Sequence, residues 1–516
     1  MTPRVIRWIA AAVPATFIGG LFLWPLARIL ATTLDGDSLG DVLTDRSIGA
    51  AAWFTVWQAT ASTVLTILAA LPLTAVVARY RFAGRRLVLA ATTVPFVLPT
   101  VVVGVAFLSL GLRDSVAAIL AAHVFYNLAV VVRTVSGSWS RLDPTLVASA
   151  RMLGASHFRA FREVTLPLLR PSILAAAAIV FLFSFSSFGV VLILGGLRYR
   201  TIEVEIYQQA FTFLDLGAAG GLAVLQLIGV GATLWWYGRT QRRGAVQQSL
   251  VPESDALQKP RTRRQRSIVA IVVGSTLGLQ LTPLVVLVAR SFQSGGAGWR
   301  FLADPGRLAI EPLSAIGNSL RFAGVATVIS LVIGGMAALV VASGTTRFAE
   351  TFDMVLMLPL GTSAVTIGLG FLVALGDFRT SWWLVPLAHS LVAVPFVVRT
   401  MVPTLRSVRQ EIRDAATMLG ASPARVWREI DLPIVSRAAL VGAGFAAAIS
   451  LGEFGATTFI ARPATTTLPT LIFRFLARPG STTYAAALAS AVLLMVVTAL
   501  LILAVDRLRA DDLGTF

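Results

Sequence analysis

Apolar runs long enough to cross a bilayer recur along this chain, and they decide what it can fold into. A hydrocarbon core of roughly 30 Å takes about 20 helical residues. Runs of that kind lie near 8–33, 52–78, 87–112, 115–136, 173–196 and 217–238, and again near 267–290, 314–343, 352–376, 381–403, 437–460 and 483–506. Backbone groups in lipid must be satisfied within their own segment, and these runs exceed the roughly 9–11 residues of a barrel strand, so helices follow. The expected fold is an all-α integral membrane protein with about twelve transmembrane helices. A hydrophobic share of 56 % against 13 % charged residues agrees with a chain that lives mostly in lipid.

Orientation is read from arginine. The chain has 43 Lys and Arg residues, Lys259 being the single lysine. With the amino terminus inside, about 30 of them fall in cytoplasmic loops or helix ends and about 13 outside. Both termini are then expected in the cytoplasm, as for a multi-pass protein of a bacterial inner (plasma) membrane. A net charge of +18 would suggest nucleic acid in a soluble protein. Here it sits in juxtamembrane loops such as 79–86 (RYRFAGRR) and 239–266, so the expected partner is the lipid bilayer and no nucleic acid. The absence of cysteine excludes disulfides, thiolate metal sites and a cysteine nucleophile. Arg4 and Arg7 before an apolar run imitate a secretory signal, but Pro14, Gly19, Gly20 and Pro25 interrupt that run, so the first helix reads as retained.

The chain is also a duplication. Residues 150–167 (ARMLGASHFRAFREVTLP) match 416–433 (ATMLGASPARVWREIDLP) at an offset of 266. The register extends to His123 and His389, Thr134 and Thr400, Phe188-Gly189 and Phe454-Gly455, and Thr201 and Thr467. Six spans per half is an even number, so both halves enter from the same side as parallel repeats with a pathway able to form between them. The expected organisation is a first half over 1–238, a cytoplasmic linker over 239–266 and a second half over 267–516. The linker is polar, includes Pro252 and Pro260, and reads as a flexible tether.

The best-matched stretch is not a span but the loop of about 35 residues between the fourth and fifth span of each half, near 138–170 and 404–436. In the second copy Asp414, Ala415, Ala416, Gly420, Ala421, Ser422, Ile430, Leu432 and Pro433 stand at the spacing of a signature loop. This resembles the "EAA" loop of ABC-importer permeases. The first copy matches at Ala150, Gly154, Ala155, Ser156, Val164, Leu166 and Pro167, with Ser149 at the family's first Ala and Ala148 where the family usually has Glu. The physics of such a loop is a helix, a bend and a second helix: Gly154 and Gly420 take φ > 0 or permit a close approach, and Pro167 and Pro433 are expected to end the second helix before the next span. The resemblance implies docking of the short helix into a cleft of an ATPase subunit, with closure transmitted as rigid-body motion. The alternative is an amphipathic helix with Arg159, Arg162, Arg425 and Arg428 on lipid headgroups. Asp414 against Ala148 implies unequal contacts.

Charges inside spans are expensive and default to functional hypotheses. Glu453, in SLGEFGATT, is the most conspicuous, and its repeat partner is Ser187 in FSFSSFGVV. Ser184, Ser186, Ser187, Ser450 and Glu453 are candidates for a polar pathway lining, the alternative being a Glu453 at the outer interface or paired with Arg462. His123 and His389 could meet a metal ion as a symmetric pair, but two isolated imidazoles without carboxylates make a poor site, and buried or interfacial side chains bonded to backbone are expected instead. Pro95, Pro99 and Gly104 correspond to Pro359, Gly361, Gly368 and Gly370 in interrupted helices, which point either to a gate or to small-residue packing.

Over nearly its whole length, including IEVEIYQQ after the fifth span, the chain is similar to the fused permeases of ferric-iron and thiamine uptake systems, and SLGEFGATT with TTTLPTLIFRF also resembles the sulfate and molybdate permeases. The resemblance implies a transport subunit with two ATP-binding cassette subunits and one extracytoplasmic substrate-binding protein as partners, carrying ferric iron or thiamine, or alternatively a sulfate- or molybdate-type cargo. A secondary transporter also uses parallel repeats but normally needs buried ion sites. No HExxH, GxSxG or GxxxxGK[ST] pattern is present, so no enzyme, cofactor or metal is expected and ATP hydrolysis belongs to a partner.

Overall fold

A computed structural model of the chain describes residues 3–34, 44–196, 198–243, 257–304, 312–344 and 347–511. Most of the tether, 244–256, lies outside the described residues. Its last part is held: Gln258 bridges to the loop after the second span, with Arg81 N–H donating to Gln258 O at 2.9 Å and Gln258 N–H to Arg79 O at 2.9 Å.

The first half runs α1 (Pro3–Ile18) and α2 (Trp24–Leu34) joined by a π turn, α3 (Arg46–Arg79), α4 (Arg85–Val97), α5 (Thr100–Ser109), α6 (Val116–Trp139), α7 (Pro144–Met152), α8 (His157–Ala160), α9 (Leu166–Phe185), α10 (Gly189–Leu194), α11 (Ile202–Gln208) and α12 (Leu216–Arg243). The second half runs α13 (Arg263–Ser291), α14 (Gln293–Ala303), α15 (Pro312–Ser343), α16 (Arg347–Gly361), α17 (Ala364–Ala374), α18 (Leu384–Ser407), α19 (Gln410–Met418), α20 (Pro423–Val426), α21 (Leu432–Gly452), α22 (Gly455–Ile460), α23 (Leu468–Leu476) and α24 (Ser481–Asp511). Among the described residues, 10 helical stretches are long and apolar enough to span, and two bent pairs bring the number to 12.

The bent pairs are α4 with α5 and α16 with α17, each turned by 97°. The sequence at each break explains the turn. Pro99 precedes α5, removing a donor and forcing extended backbone before it. At the matching position Ser363 caps α17, its Oγ accepting from Val365 N–H at 3.0 Å. Glycine then lets the second arm pack tightly: a Cβ on Gly104 would lie 2.9 Å from Ile193 Cδ1, and one on Gly368 2.7 Å from Ala456 Cα. The third and ninth spans are therefore angled elements whose inner arms lie against α10 and α22.

The fifth and eleventh spans differ from expectation at both ends. Their helices stop at Phe185 and Gly452, not at 196 and 460, and they do not start afresh after Pro167 and Pro433. The second loop helix continues through a π turn, Phe161–Thr165 or Trp427–Asp431, straight into the span. Leu166 N–H bonds to Phe161 O and Leu432 N–H to Trp427 O, five residues back, so the wider turn precedes the proline and each proline falls in the first turn of its helix. Proline here bends and joins; it does not terminate.

Beyond those spans the chain re-enters the core as short helices. Ile202, Glu203, Val204, Glu205 and Ile206 are all buried. Free N–H groups at a buried helix start need partners, and the second and eighth spans supply them: Ile202 N–H donates to Thr55 Oγ1 at 2.9 Å and Leu468 N–H to Ser319 Oγ at 2.8 Å. The two halves also exchange their first spans. α1 packs on α15 and α2 on α17, while α13 packs on α3, α4 and α5. One buried apolar cluster runs through both halves.

Candidate functional site

The two loops after α6 and α18 have one construction. In each, the first helix closes in a Schellman motif: Gly154 N–H bonds to Arg151 O at 3.0 Å and Ala155 N–H to Ala150 O at 3.1 Å, and Gly420 N–H to Thr417 O at 2.9 Å and Ala421 N–H to Ala416 O at 3.0 Å. Gly154 has φ +87° and Gly420 φ +83°, with open space where a Cβ would stand. Glycine is present for the left-handed backbone and not for a close approach within the chain. The serine that follows caps the second helix, Ser156 Oγ accepting from Arg159 N–H at 3.2 Å and Ser422 Oγ from Arg425 N–H at 3.3 Å. Leu-Gly-Ala-Ser is thus a complete end-and-restart signal in four residues.

What that turn presents is apolar. Met152 and Leu153 are each 88 % exposed, and Met418 and Leu419 are 87 % and 90 % exposed. The sequence reading missed these four, because Met and Leu in an amphipathic loop pass as buried; their position just before a left-handed glycine is the signal that turns them outward. The loops differ in bracing. Arg413 reaches Asp431 with two donors at 2.9 and 2.8 Å, tying α19 to the π turn. Val147 and Thr165 occupy those places in the first loop. Asp414 is exposed and accepts from Gln410 Nε2 at 3.0 Å.

Three of the candidate pathway residues, Ser187, Ser450 and Glu453, contact the two histidines. His123 contacts Ser62 Oγ at 2.9 Å through Nδ1 and Ser187 Oγ at 2.8 Å through Nε2. His389 contacts Ser450 Oγ at 2.7 Å and Thr457 Oγ1 at 2.8 Å, and its Nε2 lies 3.3 Å from Glu453 Oε2. The expected backbone partners are replaced by hydroxyls. Ser186 Oγ meets Gln226 Nε2 at 3.5 Å, whereas Ser184 Oγ is buried without a hydrogen-bond partner. Among the described residues no group of three or more His, Cys, Asp or Glu could hold a metal.

Glu453 faces His389 and makes no ion pair with Arg462. It is buried at the end of α21, and its carboxylate accepts from Ala456 N–H at 2.8 Å, Thr457 N–H at 2.9 Å and the Thr457 hydroxyl. A carboxylate at the first turn of α22 satisfies free donors and suits the positive end of the helix dipole. Two further buried acids were overlooked in the sequence because 197–216 reads as an external loop: Glu203, which accepts from Ser363 Oγ at 2.5 Å and Gln226 Nε2 at 2.9 Å, and Glu205, paired with Arg200 at 2.9 Å.

Between the halves, repeat-equivalent aromatic side chains meet. Phe188 stacks on Phe454 with centroids 5.3 Å apart, and Tyr207 packs edge-on to Phe473 at 6.2 Å. Both pairs relate positions 266 apart, so they mark the axis between the repeats, and they fill it.

Residues 62–244 and 330–510 match the family described as binding-protein-dependent transport system inner membrane component, and the chain belongs to that family. It is a multi-pass membrane transport protein built of two such repeats. Each match leaves out the exchanged first span of its half. The chain is 29 % identical over 558 residues to the thiamine transport system permease protein ThiP of Brucella abortus (strain 2308), covering 100 % of both chains. It is 26 % identical over 551 residues, 99 % of both, to the protein of the same description in Escherichia coli (strain K12). The molybdate/tungstate transport system permease protein WtpB of Thermococcus kodakarensis is 32 % identical over 228 residues, 43 % of this chain and 92 % of that one.

Proposed function

We propose that this two-repeat member of the binding-protein-dependent family is the permease of an ATP-driven importer, with its pathway along the axis between the halves and thiamine as its cargo. One observation carries the coupling: two loops with the same Schellman turn, the same serine cap and the same bare Met-Leu tip, set at the same end of parallel repeats. Exposed apolar pairs on a rigid turn suit a cleft on another protein, and the two turns suit two ATPase subunits. The loop helices run without a break into α9 and α21, so movement of a docked tip is delivered to the spans that end beside Phe188 and Phe454. The cargo rests on the relatives aligned end to end, both thiamine permeases by description. The molybdate/tungstate relative aligns with less than half of the chain.

The test is uptake of labelled thiamine into proteoliposomes holding the chain with its partner ATPase, with binding protein outside and ATP inside. Accumulation that requires ATP and binding protein is expected, and replacing Met418 and Leu419 by Ser should abolish it while the chain still inserts. ATP-dependent uptake of ferric ion or molybdate in place of thiamine would overturn the cargo, and full activity of the Met418→Ser, Leu419→Ser variant would overturn the docking.

A further inference from the structure

Glu203 is an acid that the fold does not require. Its repeat position holds Pro469, and the structural task at this helix start, satisfying Ile202 N–H, belongs to Thr55. Burying a carboxylate away from water is costly unless it is paired or well bonded. Glu203 is nevertheless fully buried, and among the described residues it has two neutral donors, Ser363 and Gln226, and no ion-pair partner. Its neighbour Glu205 has Arg200; Glu203 has no such cation.

Its position is equally specific. Ser363 belongs to the other half and sits at the break of its bent span, so the Glu203–Ser363 contact crosses the seam that must part if the halves separate. Tyr207 stands one helical turn further along α11, on the same face, and it packs against Phe188, Phe459 and Phe473 at the axis. One face of one short helix thus carries an unpaired carboxylate and an aromatic ring, with further aromatic rings beside it. An aromatic face attracts a cation most strongly where water is excluded, and a carboxylate adds charge selection.

We propose that Glu203 and Tyr207 form a recognition site for a flat organic cation in the opened pathway, the carboxylate being covered by the Ser363 hydroxyl in the closed state. The inference rests on the reading of the chain as a thiamine importer, whose cargo carries a cationic ring. It adds a selecting element within the permease itself. Withdrawal of Ser363 as the halves part uncovers the acid, and closure restores the hydroxyl and displaces the cation.

The test uses the assembled complex in proteoliposomes with labelled thiamine, reading thiamine taken up per ATP hydrolysed. Glu203→Gln keeps an acceptor for the Ser363 hydroxyl, and Gln226, whose Oε1 is buried without a hydrogen-bond partner, can turn its amide over so that this oxygen accepts from the new one. Glu203→Gln is expected to keep wild-type membrane levels and binding-protein-stimulated ATP hydrolysis while uptake per ATP falls about tenfold or more, and Glu203→Asp should recover part of it. Tyr207→Phe should transport, whereas Tyr207→Leu, apolar but without a π face, should not. Wild-type uptake by Glu203→Gln and Tyr207→Leu would overturn the inference, as would a parallel loss of stimulated hydrolysis and uptake that Glu203→Asp fails to relieve. No thiamine uptake by the unaltered complex would overturn the cargo reading and this inference with it.

Discussion

Phe188 and Phe454 occupy the same position in the two halves and stack on each other across the repeat axis, ring planes 23° from parallel. Each follows the end of a span that begins at one of the two Leu-Gly-Ala-Ser loops, so the contact joins the two spans just beyond their ends. Both rings are buried, and with Tyr207 and Phe473 they leave the axis closed.

Removing one ring should open that closure. Phe188→Ala or Phe454→Ala is expected to cost about 3–5 kcal/mol of packing if the site cannot collapse, and to make the complex leak small ions without ATP. Ion flux through proteoliposomes lacking nucleotide checks this. Two variants as tight as the unaltered protein would show that the axis is sealed elsewhere.

Gly154 and Gly420 make separable predictions. A β-branched side chain at φ near +85° is strained by roughly 1–2 kcal/mol, while nothing in the chain obstructs it. Gly420→Val should therefore insert normally, since hydrophobicity and the arginine bias that set topology are untouched, yet lose binding-protein-stimulated ATP hydrolysis and uptake. Gly154→Val should be milder, because its loop carries Ala148 where the other carries Asp414. Stimulated hydrolysis in reconstituted membranes measures both.

The second loop has a brace that the first lacks. Breaking Arg413–Asp431 leaves a largely buried carboxylate without its partner, worth about 1.5–3 kcal/mol for a charged hydrogen bond, toward the lower end because the Arg413 side chain is 27 % exposed. Arg413→Ala should loosen α19 and reduce stimulated hydrolysis several-fold, whereas Val147→Ala, at the matching place, should leave it unchanged. Amide exchange over 410–420 should rise in the first variant only.

Glu453 acts here as the cap of α22 and the partner of His389. Glu453→Ala should cost about 0.5–2 kcal/mol, the range for a lost cap, and shift Phe454, which stands between the carboxylate and the helix it caps. Glu453→Gln keeps an acceptor and should be milder. A thermal shift in detergent with uptake at limiting thiamine separates the two; equal behaviour of both variants would remove the cap from the account.

Much of this was legible in the sequence. Apolar length marked most of the spans, and the 266-residue offset marked the halves and made His123 and His389 equivalent positions. The loop glycines read as either left-handed or closely packed positions, and φ of +87° and +83° with open space beside them selects the first. The failures share a cause: composition cannot tell a buried re-entrant helix from an external loop. IEVEIY carries two acids and follows the fifth apolar run, so nothing in its composition marks it as buried, although Thr55 and Ser363, far away in sequence, bond it into the core. Pro167 and Pro433 misled because the rule that proline ends a helix omits the π turn that admits it. The exposure of Met152 and Met418 lay in plain sequence, one position before the Leu-Gly pair, but only the left-handed turn reveals its direction.

The central claim is that one chain supplies both halves of the pathway and both coupling loops. Native mass measurement of the purified complex tests it most directly. The account predicts one copy of this chain with two ATPase subunits, and loss of one ATPase when Met418 and Leu419 are both replaced by Ser. Two copies of this chain per complex would contradict it.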